Sequence, residues 1–385
     1  MKKILFISHN ASNTGAPILL LRLINELLEK VEFTPIILLN HGGELKHQFE
    51  KLGKVYEWNP EKKYRIKDEL AIRILNKFKI KVNSKIQHHR DDIINKLSKV
   101  DLVFNNTIAN GDLLEVLNLD NKIIITYLHE LEVGIKIDSS YEKMKLIHDK
   151  SNYLFVPSLA VKVNLVNGYN YNSNKITILK YIIPKWDLVN DNSDLHFKQF
   201  NSLNKSFVVS FCGTLDWRKG CDLVPLIMKL TYKKFPTSNI IFQWIGADLS
   251  SKEYLVLMED LYKLNLQNKI TFIEKQHNIH NYLKNSSILL LPSREDAFPL
   301  VVLEAAQYKV PCIYFREAGG IFEFLGTDAG IPIDYLDIDE MVNNLGMLAS
   351  NNELLKKFGI AVNSKIIAYA SDAKQMKPLL DIINN

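Results

Sequence analysis

Short apolar runs recur along the chain, each ending in a polar or glycine-containing loop and followed by a stretch with helical spacing. In the first half, Ile4 to Ser8, Pro35 to Leu39, Lys54 to Glu57, Leu102 to Phe104, Ile123 to Thr126 and Tyr153 to Val156 predict strands, with helical patterns such as Ile18 to Lys30 between them. From residue 207 the alternation restarts, with strands expected at Phe207 to Phe211, Ile240 to Trp244, Ile270 to Ile273, Ile288 to Leu291 and Cys312 to Tyr314. Strands alternating with helices call for parallel sheets covered on both faces, so the fold class is α/β with two doubly wound domains. The break falls where Ile183-Pro184-Lys185-Trp186 gives way to the polar run Asn190-Asp191-Asn192-Ser193-Asp194, the composition of a linker. The boundaries read as a first domain over 1–185, a linker over 186–204 and a second domain over 205–370. Residues 371–385 read as a terminal helix, with Asp372 near its start and Met376, Leu379, Leu380 and Ile383 on one side, expected to cross back to the first domain.

A length of 385 residues exceeds one ordinary core, in keeping with two domains. The 47% apolar and 24% charged content describes a globular chain, and no apolar run approaches the ~20 residues a membrane span requires. The start, Met1-Lys2-Lys3-Ile4-Leu5-Phe6-Ile7, is basic but turns polar at Ser8-His9-Asn10, so it reads as a strand and not as a secretion signal. Three scattered cysteines, Cys212, Cys221 and Cys312, show neither disulfide nor zinc spacing, and the expected compartment is the cytosol.

Three segments carry candidate chemistry. Ser293 to Asp296 follows a buried strand and precedes a helix with proline expected at its first position, running Pro299-Leu300-Val301-Val302-Leu303-Glu304-Ala305-Ala306. Glu304 is the single acid on a helix apolar all round, a costly placement unless something hydrogen-bonds to it, and a ligand hydroxyl is one such partner. The preceding loop lies at a helix N-terminus, where free amides and the dipole attract anions, and at a strand end, where open α/β sheets place ligands. The second segment, Cys212-Gly213-Thr214-Leu215-Asp216-Trp217-Arg218-Lys219-Gly220, sets two cations before a helix expected from Asp222 to Leu230. Cations there fit if they share an anion with the amides, although the Gly-Lys-Ser/Thr ending of a P-loop is absent. The third, His9 to Pro17, holds Gly15 just before a helix, where backbone can approach a phosphate closely. It lacks the Gly-x-Gly-x-x-Gly of dinucleotide binding, which disfavours a nicotinamide-dependent dehydrogenase. His129-Glu130 also stands at a strand's C-terminal end.

Taken together, the Gly15 loop, His129, the Gly213 to Gly220 loop, the run from Ser293 to Ala306 and Ala318-Gly319-Gly320-Ile321-Phe322-Glu323 resemble the retaining GT-B glycosyltransferases of family 4, over most of the chain. The resemblance implies a GT-B fold of two Rossmann-like domains facing across a cleft. In that family the first acid of a Glu-x7-Glu motif contacts the donor sugar and the second the ribose hydroxyls of the nucleotide; here the pair is Asp296 and Glu304, the first one methylene shorter. Thr214 stands where many members carry an arginine after the glycine that aligns with Gly213. Lys219 matches the family's diphosphate lysine, and Arg218 is left to supply the missing charge.

The implied activity is metal-independent retaining transfer of a hexose-type sugar from a nucleotide diphosphate-sugar, UDP favoured over GDP, to a glycan or lipid-linked acceptor, with no further cofactor. Asp296, His129, Lys219 and Arg218 take catalytic roles. Gly15, Gly213, Thr214, Phe298, Pro299, Leu300 and Glu304 take the donor, while Asn106, Thr107 and the segment Leu131 to Lys136 face the acceptor. Asp337-Ile338-Asp339 has the Asp-x-Asp pattern of metal-dependent GT-A enzymes, but it precedes a helical run, Met341 to Leu348, and is read as a helix cap. Residues 61–99 are rich in lysine and arginine, with Ile66, Leu70, Ile74 and Phe78 at helical spacing, a candidate for contact with the inner membrane face. No aromatic-lined basic motif indicates nucleic acid. The rival readings are a nucleotide-sugar-binding partner subunit with weak or no catalysis, and a nucleotide-sugar 2-epimerase.

Overall fold

A computed structural model of the chain describes residues 1–59, 83–119, 121–183, 206–276, 278–372 and 374–385. The linker expected at 186–204, and Ile66, Leu70, Ile74 and Phe78 of the basic segment, lie outside the described residues; the segment's described part forms the helix Asn83–Leu97. Backbone contacts divide the chain into two units: Met1–Pro157, Lys162–Ile182 and Lys374–Asn385 form one, Ser158–Val161 and Ile183–Ala373 the other.

The first unit is built on β1 (Lys2–Ser8), β2 (Phe33–Leu39), β3 (Lys54–Glu57), β4 (Leu102–Asn106), β5 (Ile123–Tyr127), β6 (Tyr153–Val156) and β7 (Ile176–Ile178), all parallel, in the order β3-β2-β1-β4-β5-β6-β7. Central strands are buried on both faces, which is why β1 and β4 appear in the sequence as unbroken apolar runs. Helix Gly15–Lys30 lays Leu20, Leu23, Ile24 and Leu27 inward at helical spacing. The ring of Phe6 on β1 lies 5.9 Å from that of Phe33 and 5.7 Å from that of Phe104. The terminal helix starts later than the pattern suggested, at Lys377 and not Ser371, and runs to Asn384 with Pro378 in its first turn. It buries Leu379 and Ile383, and Lys2 Nζ donates to the Ile383 carbonyl at 2.8 Å.

The second unit repeats the plan with β8 (Phe207–Cys212), β9 (Ile240–Ala247), β10 (Ile270–Glu274), β11 (Ile288–Leu291), β12 (Cys312–Phe315) and β13 (Ile331–Ile333), parallel in the order β10-β9-β8-β11-β12-β13. Trp244 is fully buried with its ring 5.4 Å from Phe211. The helix expected from Asp222 divides into a 3-10 turn, Cys221–Leu223, and the α-helix Val224–Lys234, with Pro225 in its first turn. Pro299 is the N-cap of helix Leu300–Gln307 and not its first residue. Residues Leu131 to Lys136, expected as a loop, enter the helix Glu132–Asp138. The pattern reading omitted β7 and β13, three residues each, and the helix Asn352–Ala370.

Both sheets change direction of strand order once, between β1 and β4 and between β8 and β11. At such a switch point neighbouring loops leave in opposite directions and open a crevice at the strands' C-terminal ends. The Gly15 loop and Asn106-Thr107 flank it in the first unit; the Gly213 to Gly220 loop and Ser293 to Pro299 flank it in the second. All the motifs singled out in the sequence, apart from Asp337-Ile338-Asp339 and the basic segment, thus lie at the same end of their sheets.

Asp337 caps helix Ile338–Ser350, its Oδ1 accepting from the Glu340 amide at 2.9 Å, while Asp339 pairs with Lys234 at 2.6 Å. The two carboxylates are thereby turned to different partners. Asp337→Ala is expected to cost about 1 kcal/mol of stability, with the same loss with and without magnesium in urea unfolding; a metal-dependent difference would contradict the capping role.

Candidate functional site

In the second unit the loops after β8 and β11 are stitched together. Gly213, at the end of β8, has φ 132°, and a Cβ there would stand 3.2 Å from Lys219 Cε, so the lysine stem lies over a glycine that leaves it room. Gly220 has φ 71°, in the left-handed region, and a Cβ there would meet the Pro292 carbonyl oxygen at 2.1 Å. Only glycine admits that approach. The Arg218 carbonyl accepts from the amides of Arg294 at 2.7 Å and Glu295 at 3.3 Å. Arg294 grips Asp222 through two hydrogen bonds of 2.7 Å, donates to the Trp217 carbonyl at 2.9 Å and stacks 4.8 Å from the Trp217 ring centre. Arg294 is therefore a structural clamp.

Within that frame the charged groups pair. Lys219 Nζ forms an ion pair with Asp296, the two side chains being 19% and 14% exposed. Arg218 lies 3.6 Å from Asp216, which also accepts from the Thr214 hydroxyl at 2.8 Å and, through its other oxygen, from the Lys219 amide at 2.9 Å. Each of the two cations thus has a carboxylate partner inside the unit, which accounts for their tolerance at this loop. The Asp296 amide donates to the Ala318 carbonyl, joining the loop after β11 to the Ala318-Gly319-Gly320 turn.

Glu304 is 7% exposed on helix Leu300–Gln307, where Val301, Val302, Leu303, Ala305 and Ala306 are buried around it. Its charge, like that of Lys219, reaches Cys212: burial pushes the Cys212 thiol up to about 12, the Glu304 charge adds to the rise and Lys219 opposes it. Pro299 makes no side-chain cap, and its carbonyl accepts from the Val302 amide at 3.2 Å. Phe298 is spent on packing, its ring 6.4 Å from Phe324 and 6.1 Å from Tyr369. The structure thus brings Gly213, Thr214, Arg218, Lys219, Asp296 and Glu304 into one neighbourhood, with Pro299 and Leu300 at its edge.

In the first unit His129, Asn106 and the Gly15 loop converge. Asn106 donates from Nδ2 to the Ala16 carbonyl at 3.0 Å, so its Oδ1 faces His129 Nε2 at 2.8 Å. That assignment makes Nε2 the protonated nitrogen and leaves Nδ1 to accept from the Tyr181 hydroxyl at 3.2 Å. Burial, with His9 nearby, lowers the His129 pKa to about 3, which keeps the ring neutral. Gly15 is exposed at the start of its helix, where a Cβ would meet nothing within 4 Å, and Thr14 makes no side-chain cap. The described chain itself gives no steric reason for glycine there. Sequence reasoning missed Tyr181, Asp216 and Asp222, which act only through partners distant along the chain or buried in a turn. Among the described residues no three metal-ligating side chains converge.

Solved structures with this architecture include the HepE protein of Anabaena in complex with UDP and glucose, at TM-score 0.78 and 14% identity, and the Staphylococcus aureus TarM protein, at 0.76 and 13%; each alignment covers 100% of both chains. At that identity they show the fold alone, which is GT-B, with two Rossmann-like units. The sequence model of the family described as glycosyl transferases group 1 matches residues 192–364. Curated relatives carry the same class of name. An uncharacterized glycosyltransferase of Haemophilus influenzae is 27% identical over 168 residues, 43% of this chain and 46% of the relative. An Escherichia coli enzyme named UDP-Gal:alpha-D-GlcNAc-diphosphoundecaprenol alpha-1,3-galactosyltransferase is 26% identical over 197 residues, 50% and 49%. The chain spans about half the length of these curated relatives.

The lowered His129 pKa has a sign that can be tested. A histidine depressed from 6.5 to about 3 takes its proton in the unfolded chain first, so it subtracts stability as pH falls below 6.5. In His129→Gln the loss of stability between pH 7 and pH 5, measured by urea unfolding, should be smaller than in wild type. An equal loss in both would contradict a neutral, buried His129.

Proposed function

We propose that the chain is a retaining glycosyltransferase that moves a hexose-type sugar from a nucleotide diphosphate-sugar, with a UDP-sugar favoured, to a glycan or lipid-linked acceptor. The observation that carries the reading is Glu304, a 7% exposed acid on an apolar helix whose charge, like that of Lys219, acts on Cys212 at the end of β8. Its two carboxylate oxygens can accept from a pair of ribose hydroxyls. Relatives lend support: the HepE complexes hold UDP and glucose, UDP alone or UDP-glucose, and the E. coli relative is named for UDP-Gal and a diphosphoundecaprenol-linked acceptor.

In the proposed mechanism the donor lies mainly on the second unit. The bond from C1 to the diphosphate oxygen breaks, the electron pair leaves with the diphosphate, and C1 acquires oxocarbenium character. Lys219, Arg218, and the amides at Leu300 and around Gly15 and Gly213 stabilise the departing charge. The diphosphate competes with Asp296 for Lys219, freeing Asp296 to accept from a sugar hydroxyl. His129 orients the sugar by exchanging its longer bond, from Tyr181 to Nδ1, for a sugar hydroxyl. The acceptor oxygen, guided by Asn106 and Thr107, attacks C1 on the face the diphosphate leaves, and its proton passes to a diphosphate oxygen. Thr214 contacts the diphosphate through its hydroxyl. Charge stabilisation is assigned to these side chains and amides, with no metal ion and no further cofactor. Among the described residues no helix is long and apolar enough to cross a membrane. A cytoplasmic enzyme meeting a lipid-linked acceptor at the inner membrane face is the setting we propose.

A second reading, a nucleotide-sugar-binding subunit with weak catalysis, is favoured by the engagement of Lys219 by Asp296 and of the Thr214 hydroxyl by Asp216. Donor turnover separates the two. The full chain is mixed with UDP-sugars and lipid-linked or glycan acceptors while UDP release and the anomeric configuration of the product are followed by proton NMR. The account predicts release with retained configuration, and a fall of roughly a hundredfold in kcat for Lys219→Ala. An inverted product contradicts the mechanism, and binding without release favours the subunit reading.

A further inference from the structure

Strand β4 leads into a residue whose side chain opposes its backbone. Thr107 has φ 88° and ψ 161°, and a β-branched residue at positive φ costs on the order of 1–3 kcal/mol unless its surroundings over-determine it. Four hydrogen bonds do so. The Thr107 amide donates to the Tyr127 carbonyl at 2.9 Å, its carbonyl accepts from Asn105 Nδ2 at 3.2 Å, and its hydroxyl accepts from the Ala109 amide at 3.2 Å. The next amide, of Ile108, donates to Oε1 of Glu130 at 3.4 Å. The other carboxylate oxygen, Oε2, accepts from the His129 amide at 2.9 Å. One side chain therefore joins the loop after β4 to the loop after β5, while Asn106, in the first, holds the ring of His129, in the second.

An acid is an expensive way to make that joint. Burial pushes the Glu130 carboxyl up to about 7, the charge of Asp138 adds to the rise, and the His129 and Ile108 amides oppose it. With a folded pKa above its ordinary 4.5, the stability linked to Glu130 is fully present below 4.5 and lost as pH rises through 7. Glutamine would avoid that loss, so stability alone favours it at pH 8. Glutamine, however, has one acceptor oxygen and an amide nitrogen that only donates, so it cannot accept the Ile108 amide on one terminal atom and the His129 amide on the other.

We propose that Glu130 is a positioning residue whose two carboxylate oxygens lock Asn106, Thr107 and His129 into one rigid frame on the acceptor side of the transfer reaction. The kinetic consequence rests on the transferase reading above; the frame itself rests on the hydrogen bonds alone. Removing one acceptor oxygen lets the strained turn relax and carries Asn106 away from His129. Replacing Thr107 by glycine, which adopts the same φ without strain, removes the need for the clamp.

The test uses the full chain as wild type, Glu130→Gln, Thr107→Gly and the double variant, with three readouts: hydrogen exchange of peptides covering 104–112, transfer kinetics, and calorimetric binding of UDP. In Glu130→Gln, exchange over 104–112 should speed up roughly tenfold and kcat fall roughly tenfold, while UDP affinity stays within about twofold. Its urea midpoint at pH 8 should not fall below wild type. The double variant should come within about threefold of Thr107→Gly alone in both exchange and kcat. Unchanged exchange in Glu130→Gln overturns the proposal. So does a loss of kcat matched by equal losses of UDP binding and stability, the mark of a merely structural acid. Should wild type transfer no sugar at all, the transferase reading fails, and the exchange measurement still decides the frame.

Discussion

The second unit depends on an approach between two backbones: Gly220, in the left-handed region, lies where any side chain would strike the Pro292 carbonyl. That contact fixes the loop after β8 against the loop after β11, and the Arg218 carbonyl and the Arg294–Asp222 fork reinforce it. Everything of chemical interest in this unit follows from the closeness. Lys219 reaches Asp296 because their loops are stitched at both sides. Glu304 shares a neighbourhood with Lys219 because helix Leu300–Gln307 begins just beyond the same loop. A carboxylate, a lysine and a helix N-terminus at one switch point make a site suited to a ligand with hydroxyls at one end and negative charge at the other.

The first unit solves a similar problem with side chains in place of glycine contacts. Asn106, His129, Tyr181 and Glu130 bind one another and the backbone of neighbouring loops, and between them they hold a threonine at φ 88°. The ring of His129 is neutral and occupied at both nitrogens, so any ligand contact it makes requires one of these bonds to be exchanged. Tyr181, at 3.2 Å, is the weaker of the two.

Much of the fold was legible in the sequence because both sheets are parallel and buried. Eleven strands announce themselves as apolar runs followed by polar loops, and each is present. β7 and β13 escape because three residues cannot establish a period, and β7 exposes two of its three. Helix Asn352–Ala370 was missed although Leu355, Gly359, Val362, Ile366 and Tyr369 carry a helical spacing; a glycine and a tyrosine at buried positions weaken an apolar stripe. The Ser293 to Ala306 run was legible because a lone acid among apolar residues is costly wherever the helix lies. The clamp between Arg294 and Asp222 was not legible, because the two partners stand 72 residues apart. The link from His129 to Tyr181, across 52 residues, is likewise a product of the fold and has no local signature.

The central claim is that Glu304 is buried for a nucleotide's ribose and not for the unit's own packing. Calorimetric titration of UDP and of GDP, without metal, into wild type and Glu304→Ala tests it most directly. The account predicts that UDP binds wild type and that the variant loses at least tenfold in affinity, as removal of a charged hydrogen-bonding partner does. If neither nucleotide binds wild type below millimolar concentration, or if the variant binds as well as wild type, Glu304 is a structural acid and the donor site lies elsewhere.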